Sequence, residues 1–322
     1  MTIEFNGRKF TGFFALGSGA INRRQQAIAR ASQFEALEDR TLLSATSGFD
    51  VDTGTLTITA KGGNDVNLST DLSGDVTLNG SSLGVSATLV IHLRVIGGNG
   101  GNTINLQGVT LAAFPNLTSV SIDSGKGSDD ITGSDFDDDI SGGKGRDHIL
   151  GGLGDDTIDG GAGNDYEDGE EGDDHLIGGS GNDDLYGGDG DDTEDGGDGH
   201  DSIHGGIGDD SINGGNGNDH LFGDAGFDHL SGQMGDDDLD GGDDDDVLDG
   251  GEDDDILHGG SGIDDLYGGD GDDDLNGDDD DHLDGGDGDD SLDGGLGDDD
   301  LNGGSGEDSF DDHSGSNSET DD

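Results

Sequence analysis

The sequence predicts an all-β protein: a right-handed parallel β-roll, a β-helix solenoid with 18-residue coils, preceded by a degenerate β-solenoid lead-in. Three observations point there. A nine-residue pattern recurs from residue 124 to residue 311. Its sixth place is always aspartate and its eighth is nearly always Ile, Leu or Phe. Glycine, 70 of 322 residues, clusters where such a pattern needs tight turns.

Composition sets the alternatives. Net charge is −68, with −2 on residues 1–123 and −66 on residues 124–322. A polyanion of this kind lacks the basic patches that grip phosphate backbones, so nucleic acid is excluded and cations are the natural partners. Low hydrophobicity with high net charge is also the signature of disorder, which only the periodicity displaces. There is no cysteine to staple the chain or to bind metal by thiolate. No apolar run is long enough for a membrane span.

Residues 1–49 read as a leader or export segment, unstructured or with a short helix. Within it, "FEALEDRTLLSA" (34–45) resembles a short element near the N-termini of many planctomycete surface and exported proteins. Residues 50–123 read as the lead-in. "TLTIT" (55–59), "DVTLN" (75–79), "TLVIHLRVI" (88–96) and "LTSVSID" (117–123) are strand-like and lie between Gly, Asn and Ser turns. "GGNGGNTIN" (97–105) already has the repeat outline, with Asn102 in the aspartate place. Residues 124–311 make 21 units, one of which (277–284) is a residue short. Residues 312–322 read as an acidic, unstructured tail.

Each unit divides into a turn, places one to six, and a three-residue strand, places seven to nine. Glycine at places one, two and four allows positive φ. Alternation along the strand points place eight inward and places seven and nine outward. Two units make one coil, so units two apart stack at the ~4.8 Å strand spacing. Stacking also aligns the place-six carboxylates, and each adjacent pair would repel by ~0.9 kcal/mol even in water. A hard cation between successive turns resolves this. It would take aspartate carboxylates and exposed turn carbonyls, a flexible all-oxygen shell that suits calcium better than magnesium.

GGxGxDxUx, with U apolar, also resembles the hemolysin-type, or RTX, calcium-binding repeat. The resemblance implies a parallel β-roll that folds on binding several Ca2+ ions outside the cell or at its surface. It implies ligand roles for Asp156, Asp165, Asp183, Asp192, Asp201, Asp210, Asp219, Asp264, Asp273, Asp290 and Asp299, all in intact turns. The same place assigns Asp129, Asp147, Asp174, Asp228, Asp237 and Asp308. Units in which Asp244 or Asp253 replaces the place-four glycine, and the short unit, are expected to bind poorly. Residues 1–123 look too short and strand-poor for the catalytic or toxin domain that many members carry. The few residues after the last repeat also put type I export in doubt.

Two departures need a reading. Glu167 and Glu194 occupy the inward place eight, and a local strand slip or splayed coil is expected there, with an internal cation site as the alternative. His148, His175, His220, His229 and His282 fall at outward place seven, and solvated surface histidine is expected over a zinc site. No HExxH, GxSxG or P-loop pattern is present, and no catalytic residue is assigned. The reading is an extracellular, non-enzymatic calcium-binding rod acting in surface structure, matrix or adhesion. Its alternatives are the carrier part of a secreted hydrolase or toxin, and a disordered calcium-buffering polyanion. The sequence names no macromolecular partner.

Overall fold

A computed structural model describes residues 2–5, 8–11, 45–314 and 318–320. The chain divides into two units, residues 1–40 and 41–322. In the first, Thr2–Phe5 pairs antiparallel with Arg8–Thr11. The leader element at 34–45 lies outside the described residues but for Ala45, which opens the strand Ala45–Asp50.

The second unit is a parallel β-solenoid. Its strands alternate between two sheets of 15 strands each, and neighbours within a sheet come from every second repeat. Thr157–Ala162 pairs with His175–Ser180, which pairs with Thr193–Asp198. The coil is therefore 18 residues, as the period requires. One 3-10 turn, Ala87–Leu89, is the sole helical element among the described residues.

The strands differ from the expectation in length. Nearly all have six residues, not three, and run from place seven through place three of the next unit; Asp130–Thr132, Asp138–Lys144 and Asp274–Asp278 are the exceptions. The register explains how. Thr157, Ile158 and Asp159 pair with His175, Leu176 and Ile177; place one is skipped; then Gly161 and Ala162 pair with Gly179 and Ser180. Glycine lets the strand bend at place one without ending, so the turn shrinks to places four to six.

Place eight builds the core. Ile158, Leu176, Leu185 and Ile203 are fully buried between the sheets, and so are their apolar counterparts along the solenoid except Phe310 in the last unit, which is partly buried. Each stacks on the same place one coil away. Burial of each is worth about 1.5–3 kcal/mol, so this single file of side chains is a thin core. Glu167 and Glu194 interrupt it without the expected slip. Glu167 pairs in register with Ile149 and Leu185, and Glu194 with Leu176 and Ile212. A slip of one residue would turn the polar place-seven and place-nine side chains of that strand inward, which costs more than one buried carboxyl.

The lead-in shares both sheets but not the period. Thr55 pairs with His92, and His92 with Ser119, steps longer than those of the repeats. The strand expected from residue 88 begins at His92, because Ala87–Leu89 winds into the 3-10 turn. Longer loops here add Phe114, Leu106 and Val109 to the core. Parallel stacking ends in antiparallel pairs, Ala45–Asp50 on Thr55–Ala60 and Asp75–Leu78 on Ser81–Ser86. At the other end Ser309–Ser314 and Ser318–Thr320 still pair with repeat strands, so regular structure continues into the stretch expected to be unstructured. The short unit costs one strand residue (Asp274–Asp278) and no register, since Leu266, Leu283 and Leu301 still align.

Candidate metal centre

The turns bring the place-six aspartates into two columns, one along each edge of the solenoid. All are buried, Asp308 at the C-terminal end only partly. Within a column the contact is the same at every step. Oδ1 of one aspartate accepts the backbone N–H of the place-six aspartate one coil earlier. Thus Asp156 N–H donates to Asp174 Oδ1 at 2.6 Å, Asp174 N–H to Asp192 Oδ1 at 2.7 Å, and Asp192 N–H to Asp210 Oδ1 at 2.8 Å. On the other edge Asp183, Asp201, Asp219 and Asp237 repeat this at 2.7–2.8 Å. A buried carboxylate thus caps a buried N–H of its neighbour, which satisfies the turn and stacks the charges together.

The second carboxylate oxygen is left over. Seventeen place-six aspartates have an Oδ2 that is buried and has no hydrogen-bond donor. It points at the place-one glycine of its own unit. A Cβ at Gly178 would lie 2.8 Å from Asp183 Oδ2 and 2.9 Å from the carbonyl oxygen of Gly196, one coil on. A Cβ at Gly142 would meet Asp147 Oδ2 and the Gly160 carbonyl, each at 2.8 Å. Place one therefore needs glycine for space, not for positive φ, and this corrects the sequence reading. Positive φ belongs to places two and four, as in Gly179 (96°) and Gly181 (144°). Six non-glycine residues are held there against their preference, among them Glu170 (74°), Gln233 (76°), Asp244 (79°) and Asp253 (82°).

The first coils show what this space accepts. Ser124 stands at place one, and its Oγ lies 2.8 Å from Asp129 Oδ2 and 2.5 Å from the Gly142 carbonyl oxygen. A hydroxyl thus bridges the carbonyl and the Oδ2 that in later coils meet with no donor on the Oδ2. Ser134 likewise donates to both oxygens of Asp138, through N–H and Oγ. Asn102, in the aspartate place of the lead-in, sends its Nδ2 to the carbonyls of Gly62 (3.0 Å) and Asn64 (2.9 Å). Neutral donors close the start of both columns, and seventeen of the later aspartates keep an Oδ2 without one.

Burial of these carboxylates, only partly offset by the N–H each accepts, pushes their pKa up. Asp192, Asp201, Asp228 and Asp237 rise to about 7, and Asp156 to about 9. Neighbouring aspartates of the column add to the rise. Negative charge is therefore unwelcome at these sites without a counter-charge.

The residues present fit a calcium ion. Among the described residues no three His, Cys, Asp or Glu side chains are grouped to hold a metal. The donors are instead a place-six carboxylate and a backbone carbonyl from the next coil, hard oxygens throughout. Every aspartate assigned from the sequence stands in one of the two columns. So do Asp138, Asp246 and Asp255, whose turns depart from the consensus. Asp244 and Asp253 preserve the turn by adopting the left-handed backbone themselves. Asp281, in the short unit, differs: its Oδ2 accepts the Asp279 N–H at 3.1 Å. Asp129 also differs from the later aspartates, since both its oxygens have donors.

The place-seven histidines are exposed, His282 partly so. Two pair with carboxylates, His148 with Asp130 at 3.5 Å and His220 with Asp238 at 3.4 Å. A ring stack on one sheet was not foreseen: His148 on Tyr166 at 4.8 Å, Tyr186 on His204 at 5.0 Å, and His204 on Phe222 at 4.4 Å. It mixes places seven and nine, so no single column of the repeat reveals it.

The RTX calcium-binding nonapeptide repeat family (4 copies) matches residues 132–167, 168–194, 195–230, 214–248, 231–266, 249–280 and 276–310. No curated protein matches the chain. Among the described residues no helix is long and apolar enough to cross a membrane.

Proposed function

We propose, from the premise that this chain belongs to the RTX calcium-binding nonapeptide repeat family, that it is an extracellular rod without catalytic activity, which folds when calcium enters its aspartate columns. The observation that carries this reading is the row of buried Oδ2 atoms with no donor, twelve of the seventeen facing a glycine carbonyl of the next coil at the place where Ser124 puts a hydroxyl. Calcium would supply the positive charge that these oxygens lack.

The ligands we assign are the place-six aspartates from Asp147 onward, with Asp246 and Asp255 included. Asp129, Asp138 and Asp281 are left out because protein donors already serve them. Where a further repeat coil follows, its place-one carbonyl joins the set. The aspartate Oδ1 stays with its N–H, which orients Oδ2 toward the gap. Glycine at place one leaves room for the Oδ2 and the carbonyl to approach each other.

A net charge of −66 on residues 124–322 opposes compaction until ions bind, so binding and folding are one event. Extracellular modules of this kind work at ~0.1–1 mM calcium, far above cytosolic levels. The chain would thus stay extended inside a cell and become rigid outside it, which suits a structural, matrix or adhesive role. The test is circular dichroism during a calcium titration at neutral pH and low salt, with magnesium as control. A coil spectrum in chelator that becomes a β spectrum in calcium is expected, with magnesium much less effective. A β spectrum unchanged by chelator refutes the proposal.

A further inference from the structure

Two gaps in the columns are built differently from the rest. In unit 160–168 the inward place-eight residue is Glu167, and in unit 187–195 it is Glu194. Both are fully buried, at 0% and 1% exposure; Glu194 has no hydrogen-bond donor, and Glu167 faces only the Gly160 N–H, outside ordinary hydrogen-bond geometry. Neither side chain simply lies among the leucines. A Cβ at Gly187 would meet Glu194 Oε1, Asp192 Oδ2 (2.5 Å) and the Gly205 carbonyl oxygen (2.6 Å). A Cβ at Gly160 would meet Glu167 Oε1 and Asp165 Oδ2 (3.0 Å). Each glutamate therefore reaches from the core into the gap that the place-six aspartate lines on the turn side.

The contrast with Ser124 is chemical. There the third group in the gap is a hydroxyl, which can donate. Here it is a carboxyl oxygen, so two carboxyls face each other, with no hydrogen bond of ordinary geometry to either glutamate oxygen. Such a cluster is unfavourable as a purely structural feature. It also forgoes the apolar contact that Ile or Leu makes at this place in other coils. The register around both residues is undisturbed, so the fold holds the carboxylates in place instead of splaying to expose them.

We propose that Glu167 with Asp165, and Glu194 with Asp192 and the Gly205 carbonyl, form two divalent-cation sites in which a core glutamate adds a second carboxylate, and that these are the tightest calcium sites of the chain. The inference rests on calcium binding in the columns. Affinity in all-oxygen sites rises with the number of charged ligands, so two carboxylates in place of one set these gaps apart. The two sites lie on opposite edges and in nearby coils, near the N-terminal end of the repeats. Calcium binding would begin there and order neighbouring coils on both sides.

The experiment is isothermal titration of the full chain with calcium, followed in parallel by circular dichroism. The variants are Glu167→Gln, Glu194→Gln, and the double variant Glu167→Leu/Glu194→Leu. Leucine is the common residue at this place, so the double variant is compatible with the fold, and its β spectrum at saturating calcium checks this. The wild type should show a tight phase of two ions before the main phase. Each glutamine variant should lose one of them or weaken it at least about tenfold. The double leucine variant should lose both while keeping the main phase. A wild type that binds no calcium refutes the column reading itself. If the wild type binds calcium but the variants match it, or the double leucine variant folds at lower calcium with no tight ions lost, the glutamate sites are refuted and the column reading stands.

Discussion

Asp219→Ala, Asp219→Asn and Asp270→Ala separate what a column aspartate does from what mere negative charge does. Asp219 is buried. Its Oδ1 accepts the Asp201 N–H at 2.8 Å, and its Oδ2 has no donor. Asp270, at place three, is exposed; its contribution to the coil is a backbone carbonyl that accepts the Asp253 N–H at 2.8 Å. Alanine at 219 leaves the buried Asp201 N–H without an acceptor, a loss of about 1–3 kcal/mol before any ion is counted. It also removes a charged oxygen from the gap beside Gly214, so at least one calcium should go. Asparagine at 219 keeps an Oδ1 acceptor for Asp201 and removes only the charge, and Asn102 shows that an amide fits this column. It should retain the ladder and still lose the ion. Alanine at 270 keeps the carbonyl and should fall within about 0.5 kcal/mol of wild type, with unchanged stoichiometry. Isothermal titration counts the ions, and thermal melts in saturating calcium rank the stabilities. Equal calcium losses at 219 and 270 would mean that diffuse charge holds the ions. Full retention by Asp219→Asn would mean that the carboxylate charge is not a ligand.

Three further outcomes follow from the same geometry. Without calcium, acid should fold the repeats. Column carboxyls raised from the ordinary 3.8 to about 7, as in Asp192 and Asp237, hold more protons folded than unfolded. Their stabilisation is complete below the unfolded value and lost as pH rises through about 7, so a chelated sample should gain β signal between neutral pH and about 4.5; an unchanged coil spectrum would count against buried carboxyls. Gly178→Ser should put a hydroxyl between Asp183 Oδ2 and the Gly196 carbonyl as Ser124 does, at the cost of crowding both; one calcium fewer by titration and a lower melting temperature are expected, and an unchanged count would show that these oxygens are not the ion site. Gln233→Gly should stabilise the calcium-loaded form by about 1 kcal/mol by relieving a φ of 76°, and a lower melting temperature would contradict this.

Much of this protein is legible as columns in the sequence. Invariant aspartate at place six, apolar place eight and a period of nine determine two units per coil, an inward file of Leu and Ile, and stacked carboxylates. Periodicity is local information that survives without coordinates, because every unit repeats the same alternation of faces. Tertiary structure decided whatever depends on the neighbouring coil. The partner of an Asp192 oxygen is an N–H eighteen residues away, and nothing within nine letters says which carboxylate oxygen takes it and which is left bare. The same holds for place one, where glycine looked like a turn residue. What excludes a side chain there is a carboxylate of its own unit meeting a carbonyl of the next coil. Ser124, Asn102 and Glu194 look like errors in a consensus until stacking brings them to the same kind of gap, two as donors and one as an acceptor. A departure from a repeat has meaning only through its contacts, and in a solenoid those contacts are set by stacking, one full coil away along the chain.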